Sequence, residues 1–318
     1  DHWVNSAYAP GNGRVNFVAV HPTSSSLLYA GTPAGGIWKS QNAGGTWTPL
    51  SDDAFFGGVS AIALHPTDVN TLYIGTGDID ASDTEGLGVY KSVDGGQTWQ
   101  TTGLVFNVGD GARIARILMH PDNPNILLVA GSEGVYRSTN AGLSWMQVRN
   151  GTFRDMVFKP GDPNVVYAAR ADMLFKSTDN GITWSSVTDG VPSPSAVGRI
   201  AIGVSPANAE YVYLVITNDT SYGLLGVYRS TNSGESFSLR ADSPNILDGS
   251  EDGSTTGGQG WFDLAIVVNP SNANEILIGG VNLWRSTNGG STFNLHAYWV
   301  LQGGNGYDYV HADIHHLT

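Results

Sequence analysis

The chain of 318 residues contains no cysteine, few basic residues and no long apolar run. The absence of cysteine excludes a disulfide framework and a thiolate metal site. The 15 Lys and Arg against 28 Asp and Glu give a net charge of −13, which argues against nucleic acid and anionic membranes as partners. No window approaches the roughly eighteen apolar residues of a membrane-spanning helix, so we expect no direct membrane insertion.

Glycine, by contrast, is abundant. The 42 glycines lie between short runs rich in β-branched and aromatic residues, which indicates many tight turns rather than helices. The composition therefore predicts an all-β fold.

One eight-residue pattern occurs six times: Ser-x-Asp/Asn-x-Gly-x-Ser/Thr and then an aromatic residue. In such a stretch the Asp or Asn side chain caps nearby backbone N–H groups, and Gly supplies a left-handed conformation. Each copy follows an aromatic residue and a Lys or Arg, as in a strand with one face buried. We predict that each copy is a hairpin tip closed by its aromatic residue. The copies span residues 40–47, 92–99, 138–145, 177–184, 230–237 and 286–293.

A second recurring unit precedes each copy and consists of an apolar strand, a turn containing proline and another strand. The combined unit has four strands and recurs about every 49 residues, which is typical of a β-propeller blade. We predict six complete blades, with residues 309–318 as the first strand of a seventh. The alternative is that residues 1–12 pair with residues 309–318 to close a ring of six blades.

An open ring leaves a bare strand edge. We therefore expect residues 1–318 to be one propeller domain that is truncated at its C-terminus, with further domains in the same polypeptide.

We predict that the proline turns and the repeated hairpins lie on one face of the ring, and that loops of unequal length lie on the other. We expect binding or catalysis on this variable face, which also carries most of the acidic residues.

The six repeats resemble the Asp-boxes of the sialidase, xyloglucanase and sortilin propellers, and the resemblance covers essentially the whole chain. Residues 258–263 and 279–286 resemble late blades of secreted Asp-box proteins from bacteria that use type IX secretion. This resemblance implies a secreted or cell-surface protein with a cleaved leader, and a sorting domain after residue 318.

The sequence departs from the enzymes of these families at two points. Residues 28–38 resemble the first blade of the xyloglucanase family, but Pro33 stands where that family carries a catalytic Asp. Proline can neither donate nor accept a proton, so this departure argues against the activity. The chain also lacks the N-terminal Arg-Ile-Pro sequence that accompanies the arginine triad of sialidases.

Five aromatic residues outside the repeats are candidates for stacking against a sugar: Trp3, Trp261, Trp299, Tyr298 and Tyr307. The alternative for the tryptophans is packing between blades.

Two sets of residues are candidates for binding a metal ion. Asp78, Asp80, Asp83 and Glu85 place oxygen ligands close together in one loop, as Ca²⁺ prefers, so Ca²⁺ is the candidate cofactor. A solvated acidic loop is the alternative.

His311, Asp313 and His315 would project from one face of a strand, which suits a transition metal. Their alternative role is the polar lining of the channel.

A glycosidase needs two carboxyl groups about 5–10 Å apart, and the acidic loops show no signature that singles out one pair. Asp78 and Asp263 are the candidates to replace the carboxylate that is missing at Pro33. For Asp263 the alternative is a buried structural carboxylate.

Our leading hypothesis is a non-catalytic propeller that binds a glycan or a protein through its variable acidic face. The alternatives are a polysaccharide hydrolase resembling the xyloglucanases and a structural segment of a large adhesin.

Overall fold

The computed structural model describes residues 13–54, 56–82, 84–300 and 306–318. These residues form six sheets, each with four antiparallel strands that are consecutive in the chain, and a fifth strand joins the last sheet. This confirms the predicted propeller of six blades. Blade 1 contains β1 Phe17–His21, β2 Ser24–Gly31, β3 Ile37–Ser40 and β4 Thr48–Pro49. Blade 2 contains β5 Val59–Leu64, β6 Leu72–Thr76, β7 Gly88–Ser92 and β8 Gln100–Val105. Blade 3 contains β9 Ile114–Met119, β10 Leu127–Gly131, β11 Gly134–Ser138 and β12 Met146–Arg149.

Blade 4 contains β13 Phe153–Lys159, β14 Asp162–Arg170, β15 Met173–Ser177 and β16 Ser185–Val187. Blade 5 contains β17 Val197–Val204, β18 Val212–Asn218, β19 Leu224–Ser230 and β20 Ser238–Ala241. Blade 6 contains β21 Ala265–Val268, β22 Ile276–Gly279, β23 Leu283–Ser286 and β24 Asn294–Tyr298. The first strands of successive blades contact one another, so they surround the central channel. No helix in the described part of the chain is long and apolar enough to cross a membrane.

The segment after blade 6 differs from the prediction of a seventh-blade strand. β25, Asp308–Tyr309, pairs in parallel with β24 and so extends blade 6. Residues 310–318 form no strand, although the backbone N–H of Ile314 donates to the carbonyl of Gly280 at 3.0 Å. A seventh blade is thus not formed by the described residues and stays a prediction. The alternative pairing involves residues 1–12, which lie outside the described residues.

The six repeats lie between the third and fourth strands of their blades and share one set of hydrogen bonds. In blade 2, Ser92 Oγ donates to Asp94 Oδ1 at 2.8 Å and accepts from the N–H of Gly96 at 2.8 Å. Asp94 Oδ1 also accepts from the N–H of Thr98 at 2.9 Å. The same three bonds occur in each other blade. The local sequence therefore specifies these hairpin tips.

Four tyrosines in second strands join neighbouring blades, and each is at most 1% exposed. Each phenol donates to a backbone carbonyl of another blade: Tyr29 to Gly95, Tyr73 to Ala141, Tyr167 to Ser233 and Tyr213 to Ala273. Burial raises the pKa of Tyr29 to about 12. The phenol therefore remains a hydrogen-bond donor well into the alkaline range.

The aromatic residues that close the repeats differ in burial, and this difference predicts different stability effects. Trp184 is 8% exposed among side chains of blades 3 and 4, whereas Trp47 is 36% exposed. We expect Trp184→Ala to lower the free energy of unfolding by about 3–5 kcal/mol because it leaves a cavity. Trp47→Ala should lower it by less than about 1 kcal/mol. Urea melts of the two variants test this, and equal losses would contradict it.

Candidate functional site

A cleft of about 810 Å³ opens between blades 1 and 6 on the variable face. Arg14 and Pro33 line it from blade 1, and Phe262 lines it from the loop before blade 6. Most residues of the segment 309–318 also contribute to the lining. His315, which lines the cleft, contacts both Phe262 and Asp80.

Two carboxylates of the loop between β6 and β7 lie in ion pairs at the channel mouth. Asp78 is 1% exposed and pairs with Arg14. Asp80 lies 3.0 Å from Arg199 Nη2, 3.5 Å from Arg154 Nη1 and 3.0 Å from His315 Nδ1. Burial would raise the pKa of Asp80, but these three partners together lower it well below its usual range. Asp80 is therefore ionised at neutral pH.

The arginines that hold Asp80 also bind the backbone before blade 6. Arg199 Nη1 donates to the carbonyls of Trp261 at 3.2 Å and Phe262 at 2.8 Å, and Arg154 Nη1 donates to that of Trp261 at 3.1 Å. Arg154 lies in β13 and Arg199 in β17, so the contacts bridge blades 4 and 5 to blade 6. Charged groups from separate blades thus fix the loop that carries Trp261.

Asp263 follows this loop and has a different environment. The residue is 0% exposed, and neither of its carboxylate oxygens has a hydrogen-bond partner among the described residues. Burial, followed by the nearby charge of Asp313, raises the pKa of Asp263 to about 8. Asp263 therefore carries a proton at neutral pH, whereas Asp80 does not.

The loop predicted to bind calcium places Asp78 and Asp80 against arginine side chains. Glu85 accepts a hydrogen bond from the N–H of Gly109 at 2.6 Å. In the part of the chain that the structure describes, no group of three or more His, Asp or Glu side chains could hold a metal ion. Asp83 lies outside that part, so calcium binding stays a prediction.

The expectation that His311, Asp313 and His315 project from one strand face is wrong. Residues 310–318 form no strand, and the φ of +72° at Asp313 breaks the alternation that a strand would give. His311 is exposed, whereas His315 is 6% exposed and contacts Asp80. His315 thus lines the channel mouth, as in the alternative.

The five candidate aromatic residues have different surroundings. Trp261 is 46% exposed and Tyr307 is 40% exposed. Tyr298 packs partly buried against the core of blades 5 and 6. The indole N–H of Trp299 donates to a backbone carbonyl at 2.8 Å, so this side chain packs within the fold. Trp3 lies outside the described residues.

The Trp261 side chain packs against Phe262. Its ring centroid lies 5.3 Å from that of Phe262, and the Phe262 ring meets His315 edge-on at 4.6 Å. The guanidinium of Arg14 lies 5.2 Å from the Phe262 centroid. An aromatic face supported in this way can stack against a flat apolar ligand surface, such as the face of a sugar ring.

Sequence reasoning missed the arginines and Phe262, which support the candidate carboxylates and Trp261. A signal was present at Arg199, the one charged residue of an otherwise apolar first strand, whereas β13 carries Asp155 and Lys159 as well as Arg154. Such a charged residue inside the ring needs a partner across the channel.

Part of the chain is similar in sequence to known proteins. A family model described as BNR/Asp-box repeat matches residues 175–186. A xyloglucanase from a Paenibacillus species is 30% identical over 158 residues, which are 46% of this chain and 15% of that enzyme. The match thus spans less than a sixth of this curated relative.

Solved structures extend the likeness to most of the fold. The GH74 xyloglucanase from Xanthomonas campestris superposes with a TM-score of 0.68 at 21% identity, over 91% of this chain and 46% of that one. YCF48 from Cyanidioschyzon merolae gives a TM-score of 0.58 at 14% identity, over 91% of this chain and 86% of that one. The chain is therefore an Asp-box repeat β-propeller that resembles the propellers of xyloglucanases.

Proposed function

We propose that this propeller binds a glycan chain without cleaving it, at the cleft between blades 1 and 6 and on the exposed ring of Trp261. One observation carries the proposal: Asp78 and Asp80 are held in ion pairs and Asp263 is fully buried, whereas Trp261 remains open to a ligand. A carboxylate has to reach the glycosidic oxygen or the anomeric carbon to act in hydrolysis. Stacking on an aromatic face has no such requirement.

The chemistry of the ligand follows from the cleft and from the relatives. Two of the carboxylates near the cleft are paired with arginines, Asp78 with Arg14 and Asp80 with Arg199. Pro33 contributes no charge to the lining. Such a surface suits a neutral polysaccharide, and the named activity of the relatives makes xyloglucan the first probe.

The location that agrees with such a ligand is outside the cell. We therefore propose a secreted or cell-surface protein, in which the propeller acts alongside further domains of the same polypeptide.

The experiment compares two exposed tryptophans on opposite faces of the ring. Trp261→Ala should weaken binding of xyloglucan oligosaccharides by roughly tenfold in isothermal titration, because it removes the stacking surface. Trp47→Ala, which changes an exposed tryptophan in a repeated hairpin, should leave the dissociation constant unchanged. Equal affinities for Trp261→Ala and the unmodified protein would exclude Trp261 from the site.

A second candidate function is glycoside hydrolysis, favoured by the opposite pKa shifts of Asp263 and Asp80. A proton donor and an ionised carboxylate at one site are the pair that glycosidases use. This candidate requires the buried Asp263 to become accessible. Reducing-sugar release from xyloglucan that is abolished by Asp263→Asn would favour hydrolysis over binding alone.

A further inference from the structure

The backbone at Trp261 is held from behind by two arginines. We propose that Arg199, assisted by Arg154, is a positioning residue that preorganises the Trp261 ring for its ligand. This inference rests on the proposed function and concerns how the binding surface is built.

The contacts act on the peptide groups rather than on the ring. Arg199 is 6% exposed and donates to two successive carbonyls, those of Trp261 and Phe262. Arg154 reaches the carbonyl of Trp261 from another blade. Two donors from different directions restrict rotation of this peptide, so the side chain of Trp261 is left pointing outward.

Arginine suits this position because its guanidinium presents donors in a rigid planar fork. Nη1 of Arg199 serves the two carbonyls while Nη2 lies 3.0 Å from Asp80. Arg154 and His315 also contact Asp80, so the carboxylate links the support to the segment of residues 310–318. Lysine would keep the positive charge opposite Asp80 but would lose the fork.

We expect this support to lower the entropy cost of immobilising the Trp261 ring when a ligand binds. A ligand that stacks on a mobile ring must immobilise it, whereas a ring already fixed by its backbone and by Phe262 beneath it requires less ordering. Removing the support should therefore weaken binding without removing any group that touches the ligand.

The test is a double-mutant cycle measured by titration with xyloglucan oligosaccharides. Arg199→Lys should weaken binding by roughly three- to tenfold, the size expected for ordering one side chain. In the Trp261→Ala background, Arg199→Lys should cause no further loss. An equal loss in both backgrounds would show that Arg199 does not act through Trp261 and would overturn the proposal.

Because Arg199 is buried, a milder variant and a ligand-free measurement accompany the cycle. Arg154→Gln removes one donor from a side chain that is 24% exposed, and Arg170→Gln, which breaks a pair near the surface, is the control. With 5-fluorotryptophan in the protein, the ¹⁹F resonance assigned by Trp261→Phe should show increased ring motion in Arg199→Lys and Arg154→Gln but not in Arg170→Gln. Unchanged ring motion in both support variants would overturn the proposal.

The ligand-free measurement separates the two ideas. If no glycan binds, the proposed function fails, and the fluorine spectra alone decide whether the arginines position Trp261.

Discussion

Asp263→Asn is expected to leave the protein far less sensitive to pH between about 4 and 8. Over this range the unmodified chain should lose on the order of 5 kcal/mol of stability through this group. Burial, together with the charge of Asp313, raises the pKa of Asp263 from 3.8 to about 8. Each pKa unit corresponds to about 1.4 kcal/mol.

The direction of the effect follows from proton binding. Between the two pKa values the folded protein keeps the proton of Asp263 and the unfolded chain releases it, so the free energy of unfolding falls as pH rises. This stability is fully present below pH 4 and is lost as pH rises to about 8. Asparagine cannot ionise, so the variant should be the more stable protein at pH 8.5.

Urea melts at pH 4, 6, 7 and 8.5 measure the effect, with Asp53→Asn as the control for an exposed carboxylate. Asp53→Asn should keep the slope of the unmodified protein. Parallel pH profiles for Asp263→Asn and the unmodified protein would contradict the buried, protonated state of Asp263.

The second large effect is expected at Asp80. Asp80→Asn should destabilise the fold by about 3–5 kcal/mol at neutral pH, because it leaves the buried charges of Arg199 and Arg154 without their partner. The same residue gives acid sensitivity of the opposite sign to Asp263. The lowered pKa of Asp80 means that its stabilisation is present above about pH 4 and is lost as pH falls further.

The matched control is Asp172→Asn. Asp172 pairs with Arg170 at 2.5 Å, but its side chain is 36% exposed. A surface pair of this kind contributes less than about 1 kcal/mol. Chemical denaturation at pH 7 should therefore separate the two variants clearly, and a loss below about 1 kcal/mol for Asp80→Asn would mean that the ion-pair network is not stabilising.

The six blades were predictable because their signals are local. The hydrogen bonds from Ser92 and Asp94 close within four residues, and each copy of the pattern repeats them. The proline turns also have local hydrogen bonds, such as those from the N–H groups of Asp68 and Asn123 to Nδ1 of His65 and His120. Local interactions of this kind do not depend on how the ring is assembled.

The candidate site was less predictable because its contacts cross the ring. The pattern around Asp80 resembles a cation-binding loop, but Arg154 and Arg199 lie more than seventy residues away along the chain. His315 lies 235 residues from Asp80. Local sequence shows which carboxylates are close together, but the partners that neutralise them depend on the tertiary arrangement.

Asp263 shows the same limit in a single residue. A buried carboxylate was the alternative to a catalytic role for Asp263, and the structure shows the residue at 0% exposure. The missing hydrogen-bond partners and the neighbouring Asp313 arise from the path of residues 310–318, which the strand pattern of that segment did not predict.

The most direct test of the account is one incubation that measures binding and cleavage together. Xyloglucan oligosaccharide is titrated into the unmodified protein and followed by tryptophan fluorescence, and the same sample is then analysed by chromatography after a day. We expect saturable binding that weakens by roughly tenfold in Trp261→Ala, with the oligosaccharide recovered at its original length. Shortened products whose formation depends on Asp263 or Asp78 would contradict a non-catalytic binding protein.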